Sequence, residues 1–284
     1  MLTSVFNKLK FAPNKIRREI VKRNPLLQFI SNFAYEAALK RHSDYLPALS
    51  KTDHYLVECL RQEGVYITSL EKLSIPSSPL LVDGIKSLMP ELQATLDRDT
   101  KYAISLPIAQ YMKYPITIEW GLEERLLHIA ENYIGLPITY CGPDLRRQIA
   151  NGKPLGARQW HLDVEDHRML KIIIYLNDVN LHAGPFEYIP KHSTSFLAQR
   201  LNYSSGFVSD EVMETIVPIS DCKPCLGNFG TAVFVDTCNV FHRIKAPVGS
   251  DRYSITFAYT SKRPIKKYYS FNYSKEHLLA LTEN

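Results

Sequence analysis

Several things are missing from this sequence, and each absence narrows what it can be. No apolar run is long enough to cross a bilayer and no signal-peptide pattern is present, so the expected location is cytoplasmic. Five cysteines (Cys59, Cys141, Cys222, Cys225, Cys238) are an odd number in 284 residues, which argues against a disulfide framework and for a reducing compartment. Only one C-x-x-C pair exists, Cys222 and Cys225. Zinc would want a second such pair, and a redox pair would want a helix N-terminus, whereas Pro224 and Gly227 mark a turn; the two read as loop thiols. There is no phosphate-cradling glycine loop, no internal repeat, no low-complexity tract and no evident linker.

Excess charge is also missing from most of the chain. The formal net charge is +5, but residues 1–25 hold seven basic residues (Lys8, Lys10, Lys15, Arg17, Arg18, Lys22, Arg23) against one acid, Glu19. The remainder carries 27 basic and 28 acidic residues, so nucleic-acid binding by the body has no support. At 45% hydrophobic residues the chain can build a real core.

What is present falls into two textures. Leu2, Val5, Phe6 and Leu9 recur at helical spacing beside Lys8 and Lys10. Asn24 then reads as an N-cap with Pro25 at the first helical position, opening a helix to about Arg41 with a stripe of Leu26, Phe29, Ile30, Phe33, Ala37 and Ala38. These helices are expected to pack on the body with a solvated basic face; membrane-surface contact of residues 1–25 is the weaker reading. Asp53 is expected to cap a helix to Gln62, followed by a strand at Val65-Tyr66-Ile67-Thr68. Helical patterns return near 80–89 and 122–133, and Pro137 to Tyr140 reads as a strand. Beyond residue 160, short β-branched and aromatic runs (170–176, 186–190, 231–236, 239–244, 252–260) alternate with turns, which suggests an antiparallel sandwich or barrel. The division expected is a basic helical extension over 1–60 and a β domain over 61–284, forming one structural unit.

The stretch Arg158-Gln159-Trp160-His161-Leu162-Asp163 carries the chemistry. On a strand, i and i+2 share a face, so His161 and Asp163 can reach one point. Two histidines and a carboxylate on one face of a divalent metal is a ferrous oxygenase arrangement. His242, in the strand-like Val240-Phe241-His242-Arg243-Ile244, is the best third ligand. Ten residues on, Arg252 and Ser254 can point together into a barrel, where a guanidinium is expected to grip a bound carboxylate. Together these read as a 2-oxoglutarate site.

From Gly64 to about Tyr259 the chain resembles the phytanoyl-CoA dioxygenase family of Fe(II)/2-oxoglutarate oxygenases. The resemblance rests on Gly64-Val65-Tyr66-Ile67, Trp160-His161-Leu162-Asp163, Tyr175-Leu176-Asn177-Asp178-Val179, Gly184-Pro185-Phe186-Glu187-Tyr188-Ile189-Pro190, His242, and Arg252-Tyr253-Ser254. It implies a double-stranded β-helix of the jelly-roll, cupin-like kind, mainly β with flanking helices and the helical N-terminal half packed on it. It implies Fe(II) held by His161, Asp163 and His242, and 2-oxoglutarate held at its distal carboxylate by Arg252 and Ser254. The implied reaction is hydroxylation of a C–H bond in a small-molecule or acyl substrate, using O2 and converting 2-oxoglutarate to succinate and CO2. Asp163 fills the position a halogenase leaves for chloride, so hydroxylation, desaturation or ring closure is expected instead. Pro190-Lys191-His192-Ser193 departs from the family's Pro-Gly-Ser-His turn, and the ionisable run Glu165, Asp166, His167, Arg168 follows the metal motif, with His167 and Asp166 as alternative ligands. The competing readings are a catalytically silent β-barrel binding module and a cupin-like enzyme using another metal.

Strand alternation through Lys171-Ile172-Ile173-Ile174-Tyr175-Leu176 gives one aliphatic face, expected against the helices, and one face with a lysine and a phenol. The second face is expected to look into the barrel, with Tyr175 and Lys171 contacting 2-oxoglutarate or substrate. The alternative for Lys171 is a stem that snorkels to solvent.

Overall fold

The computed structural model of the chain describes residues 24–94 and 102–266. The amphipathic pattern expected at residues 2–9 lies outside them. Helix α1 (Pro25–His42) begins as its sequence implies: the Asn24 side chain accepts from the amides of Leu26 and Leu27, with Pro25 at the first position. The apolar stripe behaves differently from expectation. Leu26, Phe29 and Phe33 are half to two-thirds exposed, at 53%, 67% and 68%. The helix instead meets the body through Tyr35, whose ring stacks on His167, and through His42, 2.7 Å from Glu131. Periodicity located an apolar stripe but could not say which way the helix would roll.

Helix α2 (Lys51–Glu63) is capped by Ser50, whose hydroxyl accepts from the Asp53 amide, and ends at Gly64 with φ +79°. Asp53 is therefore not the cap that was expected. Its buried carboxylate takes a bidentate bond from Arg125, 72 residues away, which no local pattern encodes. Strand β1 (Val65–Ser69) follows, then helix α3 (Ser78–Ala94), the short strand β2 (Ala103–Ser105), helix α4 (Glu124–Ile134) and the long strand β3 (Ile138–Gln148). The second half supplies β4 (Leu170–Tyr175), β5 (Phe186–Tyr188), helix α5 (Lys191–Arg200), β6 (Lys223–Cys225), β7 (Thr231–Asp236), β8 (His242–Ile244) and β9 (Arg252–Ser261). Pro190-Lys191-His192-Ser193 thus opens a helix rather than a turn, and Cys225 is a buried strand residue rather than a loop thiol.

Two antiparallel sheets face each other. The larger has the order β1-β7-β4-β9-β3-β2 and the smaller the order β6-β5-β8. The sandwich expected from the second half therefore recruits three strands from the first. The outer face of the large sheet carries the main core: Ile172 and Ile174 of β4, Phe234 of β7, and Ile255, Phe257 and Tyr259 of β9 meet α2, α3 and α4. Trp120 packs on Phe257 at 4.7 Å between ring centroids. Each fully buried side chain of this kind contributes roughly 1.5–3 kcal/mol. Because α2 adds Leu56, Val57 and Leu60 to that same core, the expected boundary at residue 60 falls inside a helix packed on the sheet. A second core lies between the sheets, with Val65, Ile173, Tyr175, Phe186, Val233 and Val235. The architecture is mainly antiparallel β with helices on the outside, a double-stranded β-helix. Among the described residues no helix is long and apolar enough to cross a membrane.

Candidate active site

Polar side chains collect at one place between the two sheets. His161 and Asp163 do not sit on a regular strand. They lie in an extended segment tied to its neighbours by single bridges: His161 exchanges both backbone hydrogen bonds with His242, and the Asp163 amide donates to the Thr237 carbonyl at 2.8 Å. The extended conformation preserves the i, i+2 relation that the sequence implied. Upstream, Arg158 pins the segment from beneath, donating to Gln148, Asn151 and the carbonyls of Tyr102, Ile149 and Lys153 while fully buried.

His161, Asp163 and His242 bring one ligand atom each to within 4.8 Å of one another. Both imidazoles have their Nδ1 on a carbonyl, that of Gln159 at 2.8 Å and that of Val240 at 3.0 Å. A carbonyl only accepts, so Nδ1 carries the proton and Nε2 is left unprotonated, its lone pair free to bind a metal. Burial pushes both rings away from the charged form, His242 down to about 3. Burial acts the other way on Asp163, but the Lys171 ammonium at 2.5 Å overrides it and holds the carboxyl below its usual range. Two neutral imidazoles and one carboxylate on a common face suit a divalent metal of intermediate softness. The neighbouring acids and histidine do not join them. Asp166 accepts from the Ser261 amide, His167 stacks on Tyr35, and Glu165 faces Lys266.

A chamber of about 90 Å³ opens from this cluster, lined by His161, His242, Lys171, Ile173, Phe186, Thr237, Arg252, Ser254 and Thr256 among others. Arg252 lines the same chamber as the two histidines. Its Nη1 donates to the Gly184 carbonyl at 3.0 Å, its Nε is buried without a partner among the described residues, and burial pulls its pKa down to about 10, so it stays charged. A buried guanidinium with an unused donor is a socket for an anion. Gly184 explains the Gly-Pro motif: its φ is +72°, and a Cβ there would come within 2.6 Å of the Lys245 carbonyl. Asn177 explains another motif, because its side chain accepts from the Tyr253 amide and donates to the Asp251 carbonyl, clamping the start of β9.

Both faces of β4 are disposed as alternation implied. Ile172, Ile174 and Leu176 join the helical core, while Lys171, Ile173 and Tyr175 point between the sheets. The detail differs from expectation. The Tyr175 hydroxyl donates to the Cys225 carbonyl at 2.8 Å and accepts from the Phe186 amide at 3.1 Å, while its ring lies 5.8 Å from the Arg252 guanidinium. Its polar end is thus committed to the protein, and Tyr175 supports Arg252 from behind the chamber wall. Lys171 does not snorkel outward; it faces Asp163.

Other residues of the chamber lie outside the motifs read from the sequence. Asp144 and Arg146 of β3 line the chamber and are paired at 2.6 Å, and with Thr256 they continue into a groove of about 360 Å³ that also reaches Ser105, Ile108 and Glu165. The signal was there: Asp144, Arg146 and Gln148 put polar groups at period two on one face of a strand. Phe207 packs edge-on against His161 at 5.2 Å while 54% exposed, at the rim of the same site.

No family model and no curated protein matches the chain. Solved structures do. HygX from Streptomyces hygroscopicus, seen with nickel, 2-oxoglutarate and hygromycin B bound, is 16% identical with a TM-score of 0.51, over 75% of this chain and 88% of that one. SnoK, a non-heme alpha ketoglutarate dependent carbocyclase from nogalamycin biosynthesis, is 17% identical with a TM-score of 0.51, over 76% and 85%. EctD from S. alaskensis, with 2-oxoglutarate and 5-hydroxyectoine, is 20% identical with a TM-score of 0.51, over 75% and 76%. At these identities the likeness speaks for the fold.

Proposed function

We infer that the protein is an Fe(II)/2-oxoglutarate-dependent oxygenase that hydroxylates a C–H bond of a small-molecule substrate. One observation carries the reading: three metal-type donors converge beside a chamber that is also lined by a buried arginine whose Nε–H has no partner among the described residues. Neither feature has a use in a barrel that merely folds, since a buried unpaired donor costs about 1–3 kcal/mol. The shared fold with enzymes seen in complex with 2-oxoglutarate adds support.

In this reading His161 and His242 hold the iron through Nε2 and Asp163 through Oδ1. Arg252 grips the distal carboxylate of 2-oxoglutarate, with Ser254 adding a hydroxyl bond. Bound there, iron with 2-oxoglutarate and O2 supplies oxidative decarboxylation to succinate and CO2, coupled to attack on the substrate C–H bond. The chain's own work is orientation and dryness. Ile173 and Phe186 exclude water beside the metal position, Tyr175 fixes Arg252, and substrate enters along the Asp144–Arg146 groove. A groove lined by charges of both signs favours a small polar substrate over an acyl chain.

The test is anaerobic titration of the purified chain with ferrous iron and then 2-oxoglutarate, followed by oxygen and a succinate assay. Binding of both, with a charge-transfer band and slow oxygen-dependent succinate release, is the expected result. Failure of 2-oxoglutarate to bind the metal-loaded protein would sink the reading and revive a cupin-like enzyme of other chemistry.

A further inference from the structure

The carboxylate of Asp163 divides its two oxygens. Oδ1 faces the histidines, 3.8 Å from His161 Nε2, while Oδ2 receives the Lys171 ammonium at 2.5 Å. Neither partner is loosely held. The Asp163 backbone is bonded to Thr237, and Lys171 sits on the central strand β4, hydrogen-bonded to β7 on one edge and β9 on the other, opposite Val235 and Ala258. Its side chain is only 16% exposed. This contact is a consequence of the fold, because Lys171 and Asp163 are separated by a loop that turns away and returns.

We propose that Lys171 is a positioning residue that keeps Asp163 a one-oxygen ligand. The inference rests on the function proposed above. A free carboxylate beside a divalent ion can close on it with both oxygens. Here the second oxygen is taken by an ammonium group, so only Oδ1 turns toward the metal position. Two imidazoles and one oxygen then leave three coordination positions open on an octahedral ion, two for 2-oxoglutarate and one for O2. With both oxygens bound, only two would remain; 2-oxoglutarate would fill both, and none would be left for O2 unless Oδ2 let go. The ammonium also offsets negative charge where a dianionic cosubstrate must approach a carboxylate. Outer partners of this kind commonly change affinity or activity by roughly 10–100-fold. The role differs from direct contact with 2-oxoglutarate, and also from a mere counter-ion that stabilises Asp163 until metal arrives.

Cobalt(II) separates these roles, because its visible absorption reports coordination number before any cosubstrate is present. The full-length chain and its Lys171→Met, Lys171→Gln and Lys171→Arg variants are loaded with Co(II) alone, then titrated with 2-oxoglutarate; near-UV circular dichroism confirms native packing in each. The expected result is an altered Co(II) spectrum in Lys171→Met and Lys171→Gln, with 2-oxoglutarate binding weakened roughly 10–100-fold. Lys171→Arg should restore most of both, since a guanidinium can donate to Oδ2 as well. An unaltered Co(II) spectrum with weakened 2-oxoglutarate binding makes Lys171 a direct cosubstrate contact and overturns the proposal. Both unaltered makes it a counter-ion of the metal-free site and overturns it too. If the unmodified chain binds no Co(II), or binds it without 2-oxoglutarate, the functional reading itself falls.

Discussion

On one face of β4, Ile172 and Ile174 meet Phe234, Ile255 and Phe257 beneath the helices; on the other, Lys171 and Tyr175 look toward Asp163, Arg252 and Ser254. The six residues of this strand share one backbone and one set of ladder bonds, so the contrast between the faces is a contrast between side-chain demands. Aliphatic contacts are non-directional and tolerate any filling of the same volume. Polar groups in a dry chamber must each find a particular partner, and one that finds none, such as Arg252 Nε, marks a place for a ligand. The outer face therefore stores stability and the inner face stores function, which substitutions on each should separate.

Phe257→Ala should show the largest effect on the outer face. It leaves a cavity against Trp120 and should cost about 3–5 kcal/mol, read as a lowered midpoint in denaturant, while metal binding survives at concentrations where the chain stays folded. Arg252→Ala is the opposite case. The metal-free variant should be no less stable than the parent, since a buried charge with an unused donor is removed, yet 2-oxoglutarate binding should weaken by about 3 kcal/mol, roughly two orders of magnitude. Loss of stability without loss of cosubstrate binding would invert the comparison and leave Arg252 a structural residue. Arg252→Lys should recover only part of the affinity, lacking the fork.

Tyr175→Phe sits between the two regimes. It strands the Cys225 carbonyl and the Phe186 amide and should cost about 1–3 kcal/mol of stability, with a small change in 2-oxoglutarate affinity. A large loss of affinity at unchanged stability would show that the hydroxyl meets the cosubstrate after all. The smallest effect belongs to Ile172→Val, about 0.5–1.5 kcal/mol with binding untouched, measured by equilibrium unfolding.

Much of this was written locally. The cap at Asn24, the strand at Val65, the alternation along β4 and the His161–Asp163 spacing all follow from relations between residues a few positions apart, which is the range over which backbone geometry fixes direction. Six motifs in order let His242 and Arg252 be picked out from nine histidines and 34 lysines and arginines, and the fold brings both to one chamber. Strands β2 (Ala-Ile-Ser) and β6 (Lys-Pro-Cys) escaped notice because neither lies in a β-branched and aromatic run of the kind that marked the equally short β5 and β8; they exist because a neighbouring strand offers hydrogen bonds.

The sequence by itself determined which residues could share a face and therefore which chemistry was available. Only the tertiary structure decided what each face meets. It rolled α1 so that Phe29 and Phe33 lie outward, drew Asp53 to Arg125, closed the Tyr175 hydroxyl onto backbone, and turned Lys171 toward one oxygen of Asp163. Each of these is a contact between segments that periodicity treats separately, and desolvation makes such contacts selective: once water is excluded, a polar group takes the partner the packing supplies.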